Sequence, residues 1–278
     1  MFAIFFGILS ATSWGAGDFS GGLASRRTGA YRAVLYGEAF GLLLLIAAAA
    51  FFHEALPVWT DLLWCAAAGT LGSLGMLTLY RAMGEGQMSI AAPVSAVFTA
   101  ALPVAAGILL QGLPTPTKLA GFAVALAAVW MIAQSPTGQS HLTRLADLRL
   151  PLLAGLCFGM YFIIIHQVTQ TSLIWPMIAS RSAGTLMVVV FMFARREAWR
   201  PEGSAWPLIM LNGALDVAGN AFYILAGQGG RLDVAAVLSS LYPGATVILA
   251  WLILKERTTG LQKAGILAAL LTIILLTV

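Results

Sequence analysis

Residues 69–95, GTLGSLGMLTLYRAMGEGQMSIAAPVS, and residues 213–239, GALDVAGNAFYILAGQGGRLDVAAVLS, lie 144 positions apart and align without a gap. Gly69 falls on Gly213, Gly75 on Gly219, Gly86 on Gly230 and Ser95 on Ser239. Leu71, Ala82, Ala91 and Ala92 meet Leu215, Ala226, Ala235 and Ala236. The same register runs on through Ala106 on Ala250, Leu110 on Leu254, Thr115 on Thr259 and Gly121 on Gly265. Alanine and leucine coincide by chance in any apolar chain. Glycine, serine and threonine held in one ungapped register do not, so the chain reads as two copies of one unit.

The surroundings of these segments say what the unit is. Of 278 residues, 60% are apolar and 9% charged, and the mean hydropathy is +0.90. A water-facing surface on a chain of this size needs far more charge, so lipid is the outer solvent. The net charge of +4 does not point to nucleic acid, because the basic residues sit singly or in small groups between apolar runs, as membrane-flanking anchors do. Crossing the hydrocarbon takes about 20 mainly apolar residues. Ten such runs are expected, near 2–22, 31–51, 60–82, 88–110, 117–134, 150–168, 174–194, 205–227, 233–254 and 259–277. They are continuous rather than alternating, which predicts helices and argues against a barrel. The N-terminal run lacks a basic leader and reads as the first span. Cys65 and Cys157 both fall inside apolar runs and read as small hydrophobes.

The predicted architecture is therefore all-α, with a first five-helix repeat over 1–134, a linker over 135–149 and a second repeat over 150–278. Five is odd, so the second copy enters the membrane inverted. Inverted repeats around a shared midplane site underlie many secondary transporters.

The segment AAVLSSLYPGATVILAWLILKERTTGLQKAGILAALLTIILL (235–276), its weaker partner at 91–133 and the opening ILSATSWGAGDFSGGLASRR (8–27) resemble the EamA-type transporters of the drug/metabolite transporter superfamily. The resemblance runs over essentially the whole chain. It implies ten helices around a central cavity, the last helix of each half at the periphery, and outward movement of a small molecule. One departure is Gly112, which stands where the second half has Glu256.

Charged side chains inside a membrane cost about 2.5–3.5 kcal/mol each on insertion scales, so they are the first candidates for function. Gly7, Ala11, Trp14 and Asp18 share one face of the first span, and Gly155, Gly159, Phe162 and His166 repeat that face in the sixth. Both ionisable residues stand near helix ends, where interfacial water alone could satisfy them. Glu38 in the second span matches Arg181 in the seventh and suggests a coupling or gating pair, although an arginine there could equally anchor helix packing. The eighth span presents Gly213, Asp216, Asn220 and Tyr223 where the third has Gly69, Gly72, Met76 and Leu79. An apolar stripe would suffice for packing, so Asp216 and Asn220 are expected to face water or a ligand. Ser95 and Ser239 read as packing residues. Pro93, Pro103 and Pro243 are expected to bend the fourth and ninth spans. Trp14, Tyr161 and Tyr242 are candidate aromatic walls, though aromatic residues are also ordinary membrane core.

These residues suggest a site for a small-molecule substrate, amino acid-like or an organic cation, with a coupling proton or ion as a further partner. No cofactor, metal or nucleic acid is expected, and the assembly is a monomer or a homodimer. Neither a Walker A loop, an HExxH, a CxxC nor a GxSxG stretch occurs in the sequence. The competing readings are an intramembrane lipid-modifying enzyme and a non-transporting scaffold. Lys and Arg fall twelve to two in favour of the odd-numbered loops. The positive-inside rule then predicts a multi-pass cell-membrane protein with both termini outside, whereas the resemblance implies termini inside.

Overall fold

A computed structural model gives the fold and describes residues 2–82, 88–132, 149–169, 172–255 and 259–277. The expected linker lies outside these residues apart from Arg149, as do Gly86, Arg144 and Arg257. The helices are α1 (Phe2–Thr28), α2 (Ala30–Phe52), α3 (Trp59–Ala82), α4 (Met88–Gln111), α5 (Pro116–Ile132), α6 (Arg149–Val168), α7 (Ile174–Arg195), α8 (Trp206–Gln228), α9 (Leu232–Ser239), α10 (Tyr242–Leu254) and α11 (Gly260–Thr277). Among the described residues six stretches are long and apolar enough to cross a membrane: α2, α3, α6, α7, α8 with the turn before it, and α9–α10 taken together. Shorter apolar helices cover Ser95–Gln111, Pro116–Ile132 and Gly260–Leu276. Phe51, Phe193 and Leu109 are 78%, 76% and 85% exposed. Side chains of that size point outward in such numbers only when the surroundings are hydrocarbon.

What faces inward is small. Gly69 lies directly on the backbone of Ser180, and Gly213 lies directly on the backbone of Gly37. A methyl group at either position would collide with main chain, so glycine sets how closely α3 approaches α7 and α8 approaches α2. Gly121 sits against Leu275 and Leu276, and Gly265 against Met131 and Ile132. Gly155 rests on Ser95 and Phe98, and Gly7 on Leu238. Without a hydrophobic force between helices in lipid, this close packing is a main source of their association.

The most extensive helix contacts are α1 with α8, α5 with α11, α3 with α6 and α7, and α4 with α6. Each of these joins a helix from before residue 133 to one from after residue 148.

The fourth and ninth spans differ where both were expected to bend. Helix α4 is continuous past Pro103. The second-half counterpart breaks between Ser239 and Tyr242 into α9 and α10, with Pro243 in the first turn of α10. There its missing N–H costs nothing. Ser240 helps close the break, donating its N–H to Ala236 at 2.9 Å and its hydroxyl to Val237 at 2.8 Å. Counting back 144 from Pro243 gives Thr99. Its hydroxyl donates to the Ser95 carbonyl at 2.8 Å and sits along an unbroken helix.

Two faces close the ends of the bundle. On the first face the C-terminus of α1 meets the segment after α7. Arg27 donates to the Ser204 carbonyl at 2.8 Å, Tyr36 to the Trp199 carbonyl at 2.8 Å, and the Glu202 N–H to the Thr28 hydroxyl at 3.0 Å. Gln262 of α11 donates to the Ile132 carbonyl at 3.3 Å on the same side. On the second face Glu54 accepts from the N–H groups of Leu173 and Ile174, both at 2.6 Å, and so caps α7.

Candidate functional site

A cavity of about 800 Å³ lies between the helices. It begins at Trp14, Phe162, Met177 and Asn220, and runs to the first face at Arg26, Leu254 and Gln262. On α1 it is lined by Trp14 and by residues C-terminal to it; on α10 it is lined from Tyr242 through to Leu254. The opening is thus one-sided.

The floor of the cavity is aromatic. Trp14 stacks on Phe162 with ring centroids 5.4 Å apart and planes 9° from parallel. Phe162 stacks in turn on Tyr223 at 4.5 Å, and the Tyr223 hydroxyl donates to the Phe162 carbonyl at 2.9 Å. Beneath this floor, polar groups fasten the second face. Arg231 pairs with Asp233 at 2.7 Å and donates to the carbonyls of Gln111 at 3.1 Å and Gly112 at 2.7 Å. The Gln111 side chain accepts from the Leu232 N–H at 3.1 Å and lies 3.3 Å from the His166 ring.

A chain of hydrogen bonds forms one wall. Arg181 of α7 pairs with Asp216 of α8. Asn220, one turn further on, donates to the Asp216 carboxylate at 3.2 Å and to its backbone carbonyl at 2.8 Å. Tyr161 of α6 donates to the Asn220 side-chain oxygen. The sequence left open a direct Glu38–Arg181 pair; the guanidinium instead pairs with Asp216. Glu38 accepts from Ser73 at 3.3 Å and Thr185 at 3.4 Å. Asp18 is exposed within the cavity, and among the described residues no ion pair or hydrogen bond holds its carboxylate.

Of the residues singled out in the sequence, Trp14, Asp18, Glu38, Tyr161, Arg181, Asp216, Asn220 and Tyr242 line the cavity. His166 does not; it is buried among the second-face contacts. It stands one turn beyond Phe162, below the aromatic floor, where its ring lies against Gln111 rather than the cavity. Ser73 and Thr185 went unremarked in the sequence. Each stands one turn beyond a residue already marked, Gly69 and Arg181, so the four-residue spacing was the available signal.

Three carboxylates, the Arg181 guanidinium and, at the mouth, Arg26 thus share a water-accessible cavity, with aromatic surface below them. The arrangement suits reversible binding of a small charged or amphipathic molecule.

Fold and site together define a polytopic helical membrane protein with a central, one-sided cavity whose mostly apolar lining carries a few charged groups. A model of the EamA-like transporter family matches residues 1–134 and 148–278, and the chain belongs to that family, within the drug/metabolite transporter superfamily. No curated protein matches it. Among solved structures, 28 chains resemble it. One of them, a crystal structure of a protein, reaches a TM-score of 0.82 at 16% sequence identity, over 99% of this chain and 96% of that one. That likeness bears on the fold alone.

Proposed function

We propose that this protein is a secondary transporter that carries a small polar or amphipathic metabolite across the cell membrane by alternating access, working as an exporter. The observation that carries this reading is the cavity itself: it sits among helices of both halves, reaches one face and stops at an aromatic floor. A binding chamber open to one side only is what one state of an alternating cycle requires.

The moving parts are two inverted five-helix units, 1–134 and 150–278, joined through 135–149, with ten spans in all. The matched contacts support it. Gly69 on Ser180 and Gly213 on Gly37 are one contact made twice, since 213 follows 69 by 144 positions and 180 follows 37 by 143. Gly121 on Leu276 and Gly265 on Ile132 are another, both related by 144. Exchanging α1 with α6 and α3 with α8 turns the α1–α8 contact into the α3–α6 contact. A packing scheme with such duplication has a second arrangement of near-equal energy, in which the floor opens and the present mouth closes.

Trp14, Asp18, Tyr161, Asp216, Asn220 and Tyr242 form the substrate site in this reading. Glu38 and Arg181 respond to occupancy, and a proton or ion drives the cycle. The first face carries the loops rich in Lys and Arg, which puts it in the cytoplasm and lets the cavity load from inside the cell. Flux assays on purified protein in liposomes, with a panel of labelled metabolites and an imposed proton gradient, test the proposal. Saturable flux lost in Asp216→Asn is the expected result. Protein that is folded and inserted yet moves no member of a broad panel would overturn it.

A further inference from the structure

The cavity's charges are arranged so that a ligand meets acid rather than base. The side chain of Asp216 is 33% exposed and that of Arg181 only 9%. The guanidinium therefore lies behind the carboxylate it pairs with, and its charge is already answered. Asp18 points its unpartnered carboxylate into the same space. Among the described residues the other cation of the lining is Arg26, two turns beyond Asp18 on α1 and exposed at the mouth. Eight residues of helix separate them by about 12 Å. An α-amino acid, whose ammonium and carboxylate share one carbon, spans that gap only if both side chains stretch toward each other along the helix, at a cost in rotamer entropy.

Room is left beside that carboxylate. Gly22 lies one turn from Asp18 and lines the cavity, and a methyl group added there would meet nothing within 4 Å. On the opposite turn stands Trp14, whose ring could lie under a cation or an apolar body. The site thus offers a free carboxylate with open space on one side and an aromatic floor on the other. Among the described residues it offers no free cation beside Asp18 for a ligand carboxylate.

We propose that the substrate is a monovalent organic cation: a protonated or quaternary amine on an apolar or aromatic body, without a carboxylate of its own. Its charged nitrogen sits on Asp18 and its body lies against Trp14 and Tyr242. This rests on the transport reading above and narrows it to one class.

Phenethylamine, phenylalanine methyl ester and phenylalanine share one body and differ only in the carboxylate. Their binding to the purified full-length protein, followed by titration calorimetry, tests the class. The amine and the ester should bind at least tenfold more tightly than phenylalanine. Asp18→Asn should weaken the amine at least tenfold while leaving the thermal melt of the protein in place. Gly22→Leu should do the same by filling the space. Equal or tighter binding of phenylalanine, failure of both cations to bind, or amine binding indifferent to both substitutions would each overturn the proposal. Liposome flux separates this from the broader reading. A zwitterion carried while the amines are not leaves transport standing and removes the cation. Cations bound at Asp18 but never carried do the reverse.

Discussion

At the level of single residues, the sequence revealed most where it broke a rule. Asp18, Asp216 and Asn220 stood out because lipid penalises them, and all three line the cavity. Arg181 stood out too, but its partner could not be read, because partner choice depends on how α7 and α8 rotate against each other. The Arg181–Asp216 pair yields a first prediction. Arg181→Ala leaves Asp216 without its counter-charge and should cost about 3 kcal/mol, the low end for a broken buried pair because water reaches the cavity. Arg181→Met with Asp216→Leu should regain most of that stability in a detergent melt while flux stays absent. Recovery of flux in the double variant would mean that the pair only holds helices together.

A second residue-scale prediction concerns helix ends. His53 at the end of α2 and Arg196 at the end of α7 both adopt the left-handed conformation, with φ of 50° and 54°. A side chain there costs roughly 1–2 kcal/mol that glycine does not. His53→Gly should therefore raise stability by about 1 kcal/mol, read as a higher midpoint in thermal unfolding.

At the level of elements, hydropathy located the helices because each is a continuous apolar run. It placed α1 as the first span but, with Gly, Ser and Asp18 interrupting the run, did not reveal its packing against α8. Neither could it foresee that the ninth span is broken while α4 is not; that turned on Thr99 standing opposite Pro243. Glycine spacing, by contrast, marked the tightest contacts in advance. Gly213→Ala drives a methyl group into the backbone of Gly37 and should destabilise by about 1–3 kcal/mol, the usual cost of overpacking. Gly22→Ala meets open space and should be neutral or stabilising by up to about 1 kcal/mol, through better helix propensity. Equal effects of the two in the same melting assay would remove close packing as the reason for Gly213.

At the level of the whole molecule, the proposed repeat rests on small residues matched in the sequence, whereas the one-sided opening could not be read there, since in the proposed cycle it depends on which of two arrangements the helices occupy. The polar fastening of the second face supplies a handle on that choice. Arg231→Gln loosens its hold on Asp233 and on the carbonyls of Gln111 and Gly112. With Cys65 and Cys157 replaced by alanine, a cysteine at Met177 should be slow to react with an impermeant thiol reagent from the second face. It should react several-fold faster once Arg231→Gln is added. An unchanged rate would place the closure elsewhere. Orientation is a separate question. The proposed orientation has both termini outside, so alkaline phosphatase fused after Val278 should be active and green fluorescent protein there dark; the opposite pattern would reverse the face from which the cavity loads.

The cross-pairing of helices also bears on how the protein is made. Helix α5 finds its main partner in α11, at the very end of the chain, and α1 finds its own in α8. Spans synthesised first must therefore wait in the bilayer, their glycine-rich faces uncovered, until the ribosome has delivered nearly the whole polypeptide. Folding is a late, all-together event, and the waiting half is the form most exposed to membrane proteases. The same geometry means that the two halves, synthesised as separate polypeptides in one cell, should find each other and assemble, while either alone should be degraded.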